Sequence, residues 1–582
     1  MSILEVPLID WAMFSSTIQL IVKGLLIGII VSAPMGPVGV LCIQRTMHRG
    51  RIVGLVTGVG ASLSDLIYAV ITGAGMTLVM SFVEQEQNIY WMKIGGSAIL
   101  FAFGLHTLLS NPLKAIRRSK HKRGNLVHNF VTSFFLTLSN PLIIFLFIAL
   151  FAQLTFTVPQ NPFGAFWGYI SIFCGAMLWW GGLTYIITRM KNSFGYRGMM
   201  LDCARHFFPL EFVKRYIDLL AMHNMNVFHW HLTEDQGWRL EIKKYPELTQ
   251  KGSIRRGTQV GHNDGVFDGV PYGGYYTQEQ AREIVEYARQ RYITVIPEFD
   301  IPGHTKAALA CYPELGCTGG PYQVARSWGV FQDVLCLGKE KTFTFVQDVL
   351  DEIMDIFPSK VIHIGGDEAP TVAWEQCPLC QKKMKEEGVD AKHFQGYFTN
   401  RIEKYLNSKG HSIMGWDEIL EGKISTTATV MSWRGAEPGI QAALKGHDVV
   451  MTPNTHTYFD YYQADDKEEK KLGLIGGLST VENVYNYNPT PSVLPDSVRK
   501  HILGVQANLW TEYIAGKDIA EYQILPRMAA LAEVQWTTQP KNYEGFKERL
   551  TRFVSFYDLY NYVYATHLWK DKKAKPEWSL TK

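Results

Sequence analysis

The sequence predicts two architectures in one chain. An α-helical membrane domain of about five spans, residues 1–190, is fused to an α/β domain, a (β/α)8 TIM barrel over residues 194–540, and a C-terminal helix and charged tail fill 541–582. Three observations predict this. At 582 residues the chain is too long for one ordinary domain. Up to about Arg189 it is apolar and poor in acids, and beyond that it has the composition of an aromatic-rich soluble protein. In that second part, short apolar runs alternate with helical patterns, the signature of a parallel sheet.

The membrane part comes first. Hydrophobic runs lie near 17–43, 52–83, 91–109, 127–152 and 163–188, and each reaches the roughly 20 residues a helix needs to cross a bilayer. The first is too long, and too far from the start, for a cleaved signal peptide. The loop after it carries Arg45, Arg49 and Arg51, and the third loop carries Lys114, Arg117, Arg118, Lys120, Lys122 and Arg123. The second loop, around Glu84 and Glu86, is acidic. Basic loops stay in the cytoplasm. The N-terminus is then outside, and an odd number of spans leaves everything after Thr188 inside. Pro34, Gly36 and Pro37 break the first helix, and Asp65 is an acid at membrane depth. Broken helices and intramembrane acids are features of transport sites.

In the second part the strands read, in order, YRGMMLD, NVFHWHL, TVIPEFD, VIHIGGD, SIMGWD, TVMSW, DVVMTPN and ILGVQANLW. After the first, Phe212, Val213, Tyr216, Ile217 and Leu220 share one helix face. Eight such units make a closed barrel, whose site lies at the carboxyl ends of its strands. Those ends are rich in chemistry: Arg205 and His206; His231, Glu234 and Asp235; Asp300 and His304; Asp367 and Glu368; Trp416, Asp417 and Glu418; Trp433; Tyr458 and Asp460; Trp510 and Glu512. One Trp alone reads as core and one Asp alone as a helix cap. All eight ends being polar or aromatic reads as a site.

Other classes are excluded or weakened. The net charge of +3 gives no reason to expect a nucleic-acid partner. No glycine-rich loop with a following Lys makes a phosphate site, and no HExxH cluster makes a catalytic metal site. No cofactor and no metal are expected. His229 and His231 share one strand face and read as core or supporting residues. The eight cysteines are too sparse for a disulfide scaffold. The lone CPLC pair, Cys377 and Cys380, is weak evidence for a metal beside a local disulfide or free thiols, and Cys317 and Cys336 could pair.

Carboxylates with tryptophans suggest a sugar. Carboxylates accept from hydroxyls, and indole faces cover the C–H face of a pyranose. The stretch HIGGDEAP then places two acids side by side. Glycosidases with a protein nucleophile hold two facing carboxyls about 5–5.5 Å apart, or about 6.5–9.5 Å when inverting. Adjacent residues at a strand end diverge, which suits a different division of labour. In substrate-assisted hydrolysis the sugar's own 2-acetamido group attacks the anomeric carbon, giving an oxazolinium. One acid then serves the leaving oxygen and the other orients the amide.

On these residues two resemblances can be stated. RGMMLDCARHFFP, HWHLTEDQGW, EFDIPGH, HIGGDE, GWDE and NLWTE together resemble glycoside hydrolase family 20, the β-N-acetylhexosaminidases, over about Tyr196 to Trp536. The resemblance implies Glu368 as general acid/base and Asp367 as the residue orienting the acetamido group. It implies Tyr458 on the acetamido carbonyl, and Trp416, Trp433 and Trp510 as walls. Arg205, Asp460 and Glu512 would hold the sugar, with His304 behind them coupled to the acid at 234, a Glu here where relatives often have Asp. The implied substrate is a glycan or glycoconjugate ending in β-linked GlcNAc or GalNAc, removed with retention.

SAPMGPVG, GASLSD and SNPLIIFLF resemble the LysE/RhtB amino-acid exporters over about 170 residues. That family usually has six spans. Family 20 members usually carry a small α/β domain before the barrel. Here the barrel follows the fifth span within a few residues, as at a fusion. The expected protein is therefore a membrane-tethered hexosaminidase in a bilayer, with the bacterial inner membrane as its place and the barrel on the cytoplasmic side by loop charge, the periplasmic side being the alternative. The alternatives are a LysE-type exporter with an appended barrel, or a barrel that binds sugar without cleaving it. The oligomeric state is left open.

Overall fold

The computed structural model describes residues 11–34, 36–78, 126–140, 142–157, 162–190, 194–263, 265–490, 494–537 and 540–569. The predicted span at 91–109, the second and third loops, and the tail after Trp569 lie outside the described residues. The chain divides into two compact units, Met1–Asn192 and Ser193–Lys582.

The first unit is helical: α1 Trp11–Ser32, α2 Pro37–Arg49, α3 Arg51–Leu78, α4 Leu126–Leu138, α5 Leu142–Gln153 and α6 Pro162–Met190. Within α3 and α6, Arg51–Gly75 and Pro162–Thr188 are long and apolar enough to cross a membrane unaided. The first predicted span is a bent pair, Thr17–Ser32 and Pro37–Thr46, turning by 85°. The prolines noted in the sequence sit at that break, where each removes a helical N–H. The fourth predicted span is also a bent pair, Leu126–Leu138 and Ile143–Gln153, at 71°. Hydropathy averaged over the whole run hid this second break. It falls at Asn140, which precedes a proline and is steered out of the helical region. Arg45, read from sequence as a loop residue, instead lies in α2. Its guanidinium donates to the Asn129 carbonyl at 2.8 Å, to Thr132 Oγ1 at 2.6 Å and to Thr57 Oγ1 at 3.1 Å, tying α2, α3 and α4 together.

The second unit is a closed barrel of eight parallel strands. They are β1 Tyr196–Asp202, β2 Val227–His231, β3 Thr294–Glu298, β4 Val361–His363, β5 Ser412–Trp416, β6 Thr429–Ser432, β7 Asp448–Met451 and β8 Ile502–Leu509. Each pairs with its sequence neighbours, and β8 closes on β1 with Tyr196 opposite Gly504 and Leu201 opposite Leu509. All eight strands read from the sequence are present. Parallel strands are buried on both faces, so most of their side chains are apolar, and this is why they stand out as short apolar runs.

Helices pack outside. Helix α7, Leu210–Met222, buries Phe212, Val213, Tyr216, Ile217 and Leu220, the face its spacing predicts. Helix α8, Gln278–Arg289, starts with a capping box in which Thr277 and Gln280 exchange hydrogen bonds. Helix α9, Glu340–Ile356, and helix α10, Ala391–Ser408, flank β4 in the chain.

One patch inside the barrel is polar. Glu298, at the end of β3, is fully enclosed by three histidines. His231 Nδ1 is 2.5 Å from its carboxylate, and His229 Nε2 and His363 Nδ1 are each at 3.0 Å. Burial opposes the charge on Glu298, but the three imidazoles outweigh it and hold the carboxyl well below the usual range. A buried carboxylate is tolerated here because nearly every lone pair has a donor.

Candidate active site

The HIGGDEAP stretch leaves the barrel at the end of β4. Gly365 and Gly366 have φ of +63° and +95°, a region L side chains rarely adopt. A Cβ on Gly365 would fall 1.7 Å from Asp300 Oδ1. That same oxygen accepts from the Gly366 N–H at 3.1 Å, and Gln395 donates to the Gly366 carbonyl. The two glycines therefore make a tight left-handed turn pinned from both sides. This turn is what delivers Asp367 and Glu368 in different directions. The Asp367 side chain turns inward and keeps 13% exposure, while that of Glu368 keeps 40%. Glu368 itself holds a φ of +48°, an uncommon conformation that clusters at functional sites.

His304 faces both acids. Its Nε2 is 3.6 Å from Glu368 Oε2 and 3.8 Å from Asp367 Oδ2. Its Nδ1 is 3.1 Å from Glu234 Oε1 and 3.2 Å from Asp235 Oδ2. Burial disfavours a charge on His304, but Glu234, Asp235 and Glu368 more than offset that and push its pKa well above the usual value. His304 is thus an imidazolium between two pairs of acids. Glu234 also binds Arg205 Nη2 at 2.5 Å, and Arg205 Nη1 reaches Asp202 at 3.4 Å. The contact expected at position 234 is made, and Asp235 shares it.

The aromatic wall is continuous. Trp416 and Trp510 have ring centroids 5.7 Å apart, Trp510 and Tyr458 6.4 Å, and Tyr458 and Trp433 6.2 Å at an interplanar angle of 15°. Each indole is oriented by its surroundings. Trp416 Nε1 donates to Glu298 at 2.9 Å, Trp433 Nε1 donates to Glu418 at 3.0 Å, and the Arg205 guanidinium lies over Trp510 at 5.0 Å.

Several buried polar atoms here have no partner among the described residues: Asp367 Oδ1, Asp460 Oδ1, Glu512 Oε2 and Arg205 Nε. Buried polar groups are normally satisfied, so a cluster of orphans marks a place for a polar ligand. Three are acceptors, which suits hydroxyl and amide N–H donors. Burial pushes the carboxyls of Asp460 and Glu512 up; the charge of Glu512 adds to the shift at Asp460, and Arg205 opposes the shift at Glu512. Burial also pushes Asp367 up, with His304 pulling it down and Glu368 pushing it up.

The structure thus gathers Arg205, Glu234, His304, Asp367 and Glu368 in one chain of charges, and Trp416, Trp433, Tyr458 and Trp510 in one wall, with Asp460 and Glu512 joined to them through Glu512 and Arg205. Of the other strand-end residues read from the sequence, it places Asp235 on His304, Asp300 under the turn and Glu418 behind Trp433, and it adds one that sequence reasoning did not single out, Glu298 behind Trp416. Glu418 stands out, since burial and then the charges of Asp367 and Asp417 raise its pKa to about 8. The signal for Glu298 was present in EFD, where it lies two residues from another acid.

Closed barrel, strand-end acid pair and aromatic wall together define a (β/α)8 glycosidase type of site. Residues 194–539 match the family model described as glycosyl hydrolase family 20, catalytic domain, and the chain belongs to that family. Residues 29–204 match the model of the LysE type translocators. The chain is 48% identical over 377 residues to a β-hexosaminidase of Porphyromonas gingivalis, covering 64% of this chain and 47% of that one. It is 43% identical over 352 residues to a β-hexosaminidase of Vibrio furnissii, covering 60% and 57%. A solved family 20 exo-β-N-acetylglucosaminidase of Vibrio harveyi, in complex with N-acetylglucosamine, superposes with a TM-score of 0.56 at 34% identity, covering 66% of this chain and 65% of that one. The chain spans about half the length of these curated relatives.

Proposed function

We propose that the chain is a membrane-tethered, retaining exo-β-N-acetylhexosaminidase that removes terminal β-linked GlcNAc or GalNAc by substrate-assisted catalysis. The observation that carries the reading is the divergent pair on the Gly365–Gly366 turn: one acid inward with an unpartnered oxygen, the next outward. Glu368 protonates the leaving oxygen and later takes a proton from water. Asp367 Oδ1 accepts the acetamido N–H and stabilises the positive charge that grows on the amide as its carbonyl attacks the anomeric carbon. Tyr458 donates to that carbonyl, and Trp416, Trp433 and Trp510 enclose the methyl and the sugar face. Arg205, Asp460 and Glu512 take ring hydroxyls. His304, held by Glu234 and Asp235, places a positive charge beside both acids. The names of the similar proteins support the same substrate class.

The test compares an aryl N-acetyl-β-glucosaminide with the matching aryl β-glucoside, using the detergent-purified chain and Glu368→Gln. Cleavage of the first only, lost in the variant, is expected. Equal cleavage of both sugars rejects the acetamido-assisted reading.

Within the same proposal, five spans place the barrel on the cytoplasmic side of a bacterial inner membrane. The support is the basic third loop together with Arg49 and Arg51; Arg45 is engaged between helices and is not counted. Labelling of single cysteines in the loops of intact cells with a membrane-impermeant maleimide checks this, and a labelled third loop overturns it.

A second reading, amino-acid export, has its own observation. A cavity of about 440 Å3 opens at the break between α1 and α2 and is lined by Ser32, Pro34, Pro37, Asp65, Asn140 and Trp180. Export that is lost in Asp65→Asn and kept in Glu368→Gln would favour it.

A further inference from the structure

Four cysteines that the glycosidase reading leaves unused meet outside the barrel strands. Cys317 follows the short turn Pro313–Leu315, Cys336 lies just before α9, and Cys377 and Cys380 frame the start of the helix Pro378–Glu387. Cys336 Sγ is 3.5 Å from Cys380 Sγ and 3.7 Å from Cys377 Sγ, and Cys317 Sγ is 3.8 Å from Cys380 Sγ. All four sulfurs lie within 4.8 Å of one another.

These separations discriminate. A disulfide needs about 2.05 Å, so the expected pairing of Cys317 with Cys336 is not what the structure builds. A tetrahedron with arms of about 2.3 Å, the zinc–thiolate length, has edges of about 3.8 Å. The three contacts lie close to that edge. The CPLC spacing is that of one zinc-binding knuckle, and the second pair of ligands comes from a loop some 40 to 60 residues earlier, which is why one pair alone was weak evidence.

The surroundings fit thiolates. The Gly338 backbone N–H lies beside Cys336 and Cys380 and favours negative charge on both sulfurs. A Cβ on Gly338 would meet the Leu379 and Cys380 backbone at 2.4–2.6 Å, so the two turns are packed at a separation only glycine permits. Cys336, Cys377 and Cys380 are buried and Cys317 is half-buried, which closes the site to water.

We propose that Cys317, Cys336, Cys377 and Cys380 bind one zinc ion as a closed tetrathiolate site. Four thiols and one Zn2+ give a Zn(Cys)4 centre of charge −2 and release four protons, with no oxidation. Four protein ligands leave no open position, so the role is structural. The centre joins two segments that matter elsewhere. Leu335, beside Cys336, accepts from Trp374 Nε1 at 2.9 Å and donates to Pro302 O at 3.0 Å. Pro302 is two residues from His304, and Trp374 is six from Glu368. The ion clamps the loop of His304 to the loop of Glu368.

The test uses the full-length chain purified in detergent without chelator. Elemental analysis should give about one zinc per chain. Exchange into cobalt should give the thiolate charge-transfer and visible d–d bands of a tetrahedral sulfur site. Cys336→Ser with Cys380→Ser should lower bound zinc at least tenfold and lower the unfolding temperature. A folded wild-type chain without zinc, whose four thiols react freely or are found as disulfides, overturns the proposal. So does full zinc retention in the double variant. Should that variant not fold, the wild-type zinc count and cobalt spectrum decide alone. None of these readouts depends on the sugar chemistry.

Discussion

Glu418 offers the sharpest quantitative test. Its carboxyl is pushed to about 8 from an ordinary 4.5, by burial first and then by Asp367 and Asp417, while Trp433 Nε1 donates to it. A carboxyl raised in the folded state binds its proton more tightly there than in the unfolded chain. Its contribution is therefore most favourable below 4.5, and stability is lost as pH rises from 4.5 to 8. The slope approaches about 1.4 kcal/mol per pH unit across that window, so the step from pH 5 to pH 8 costs about 3 kcal/mol. Glu418→Gln is neutral, similar in shape, and still accepts from Trp433. It should remove that slope. Unfolding of the detergent-solubilised chain, followed by tryptophan fluorescence at pH 5 and pH 8, reads it out. The variant and wild type should have similar midpoints at pH 5, and the variant should be higher by several degrees at pH 8. Parallel profiles would refute the claim that Glu418 is held neutral against Asp367.

Other outcomes follow from the same geometry. Gly365→Ala forces a side chain into a φ of +63° and onto Asp300; the dihedral alone costs about 1–2 kcal/mol, and both the unfolding midpoint and kcat should fall. Glu298→Gln removes the charge that the buried histidines face while keeping an acceptor for Trp416, with a loss of about 3–5 kcal/mol seen in thermal unfolding. Asp367→Asn should lower kcat on an N-acetylglucosaminide about 10^2–10^3-fold with a small change in KM, because its interaction grows only as the amide gains charge; a change confined to KM would contradict that.

Much of the barrel was legible because buried parallel strands cannot hide. Their apolar runs and polar ends mark both the fold and the rim of the site, and each of the eight runs, from YRGMMLD to ILGVQANLW, contains one observed strand. The residues read as the site at those ends do converge. What escaped reading depends on distances between segments. Glu298 and its histidines sit within strands, where alternation makes them look like core. Glu418 owes its raised pKa to burial and then to Asp367, some fifty residues away in sequence. The four cysteines come from two loops. The break at Asn140 lies in the short Ser139–Asn140–Pro141 step of a run that is apolar on average, and hydropathy averages it away.

The turn at Gly365 and Gly366 has a kinetic meaning as well as a geometric one. Asp367 and Glu368 share a peptide bond, so no relative motion of two strands or helices can change the spacing of their Cα atoms, about 3.8 Å. Any shift of the end of β4 carries both together. What it modulates is the gap between this rigid unit and the opposite side, where Tyr458 and Trp510 stand. The separation of the two acid-bearing backbones is thereby built into bonded geometry, and only the gap to the other side is left to fluctuate.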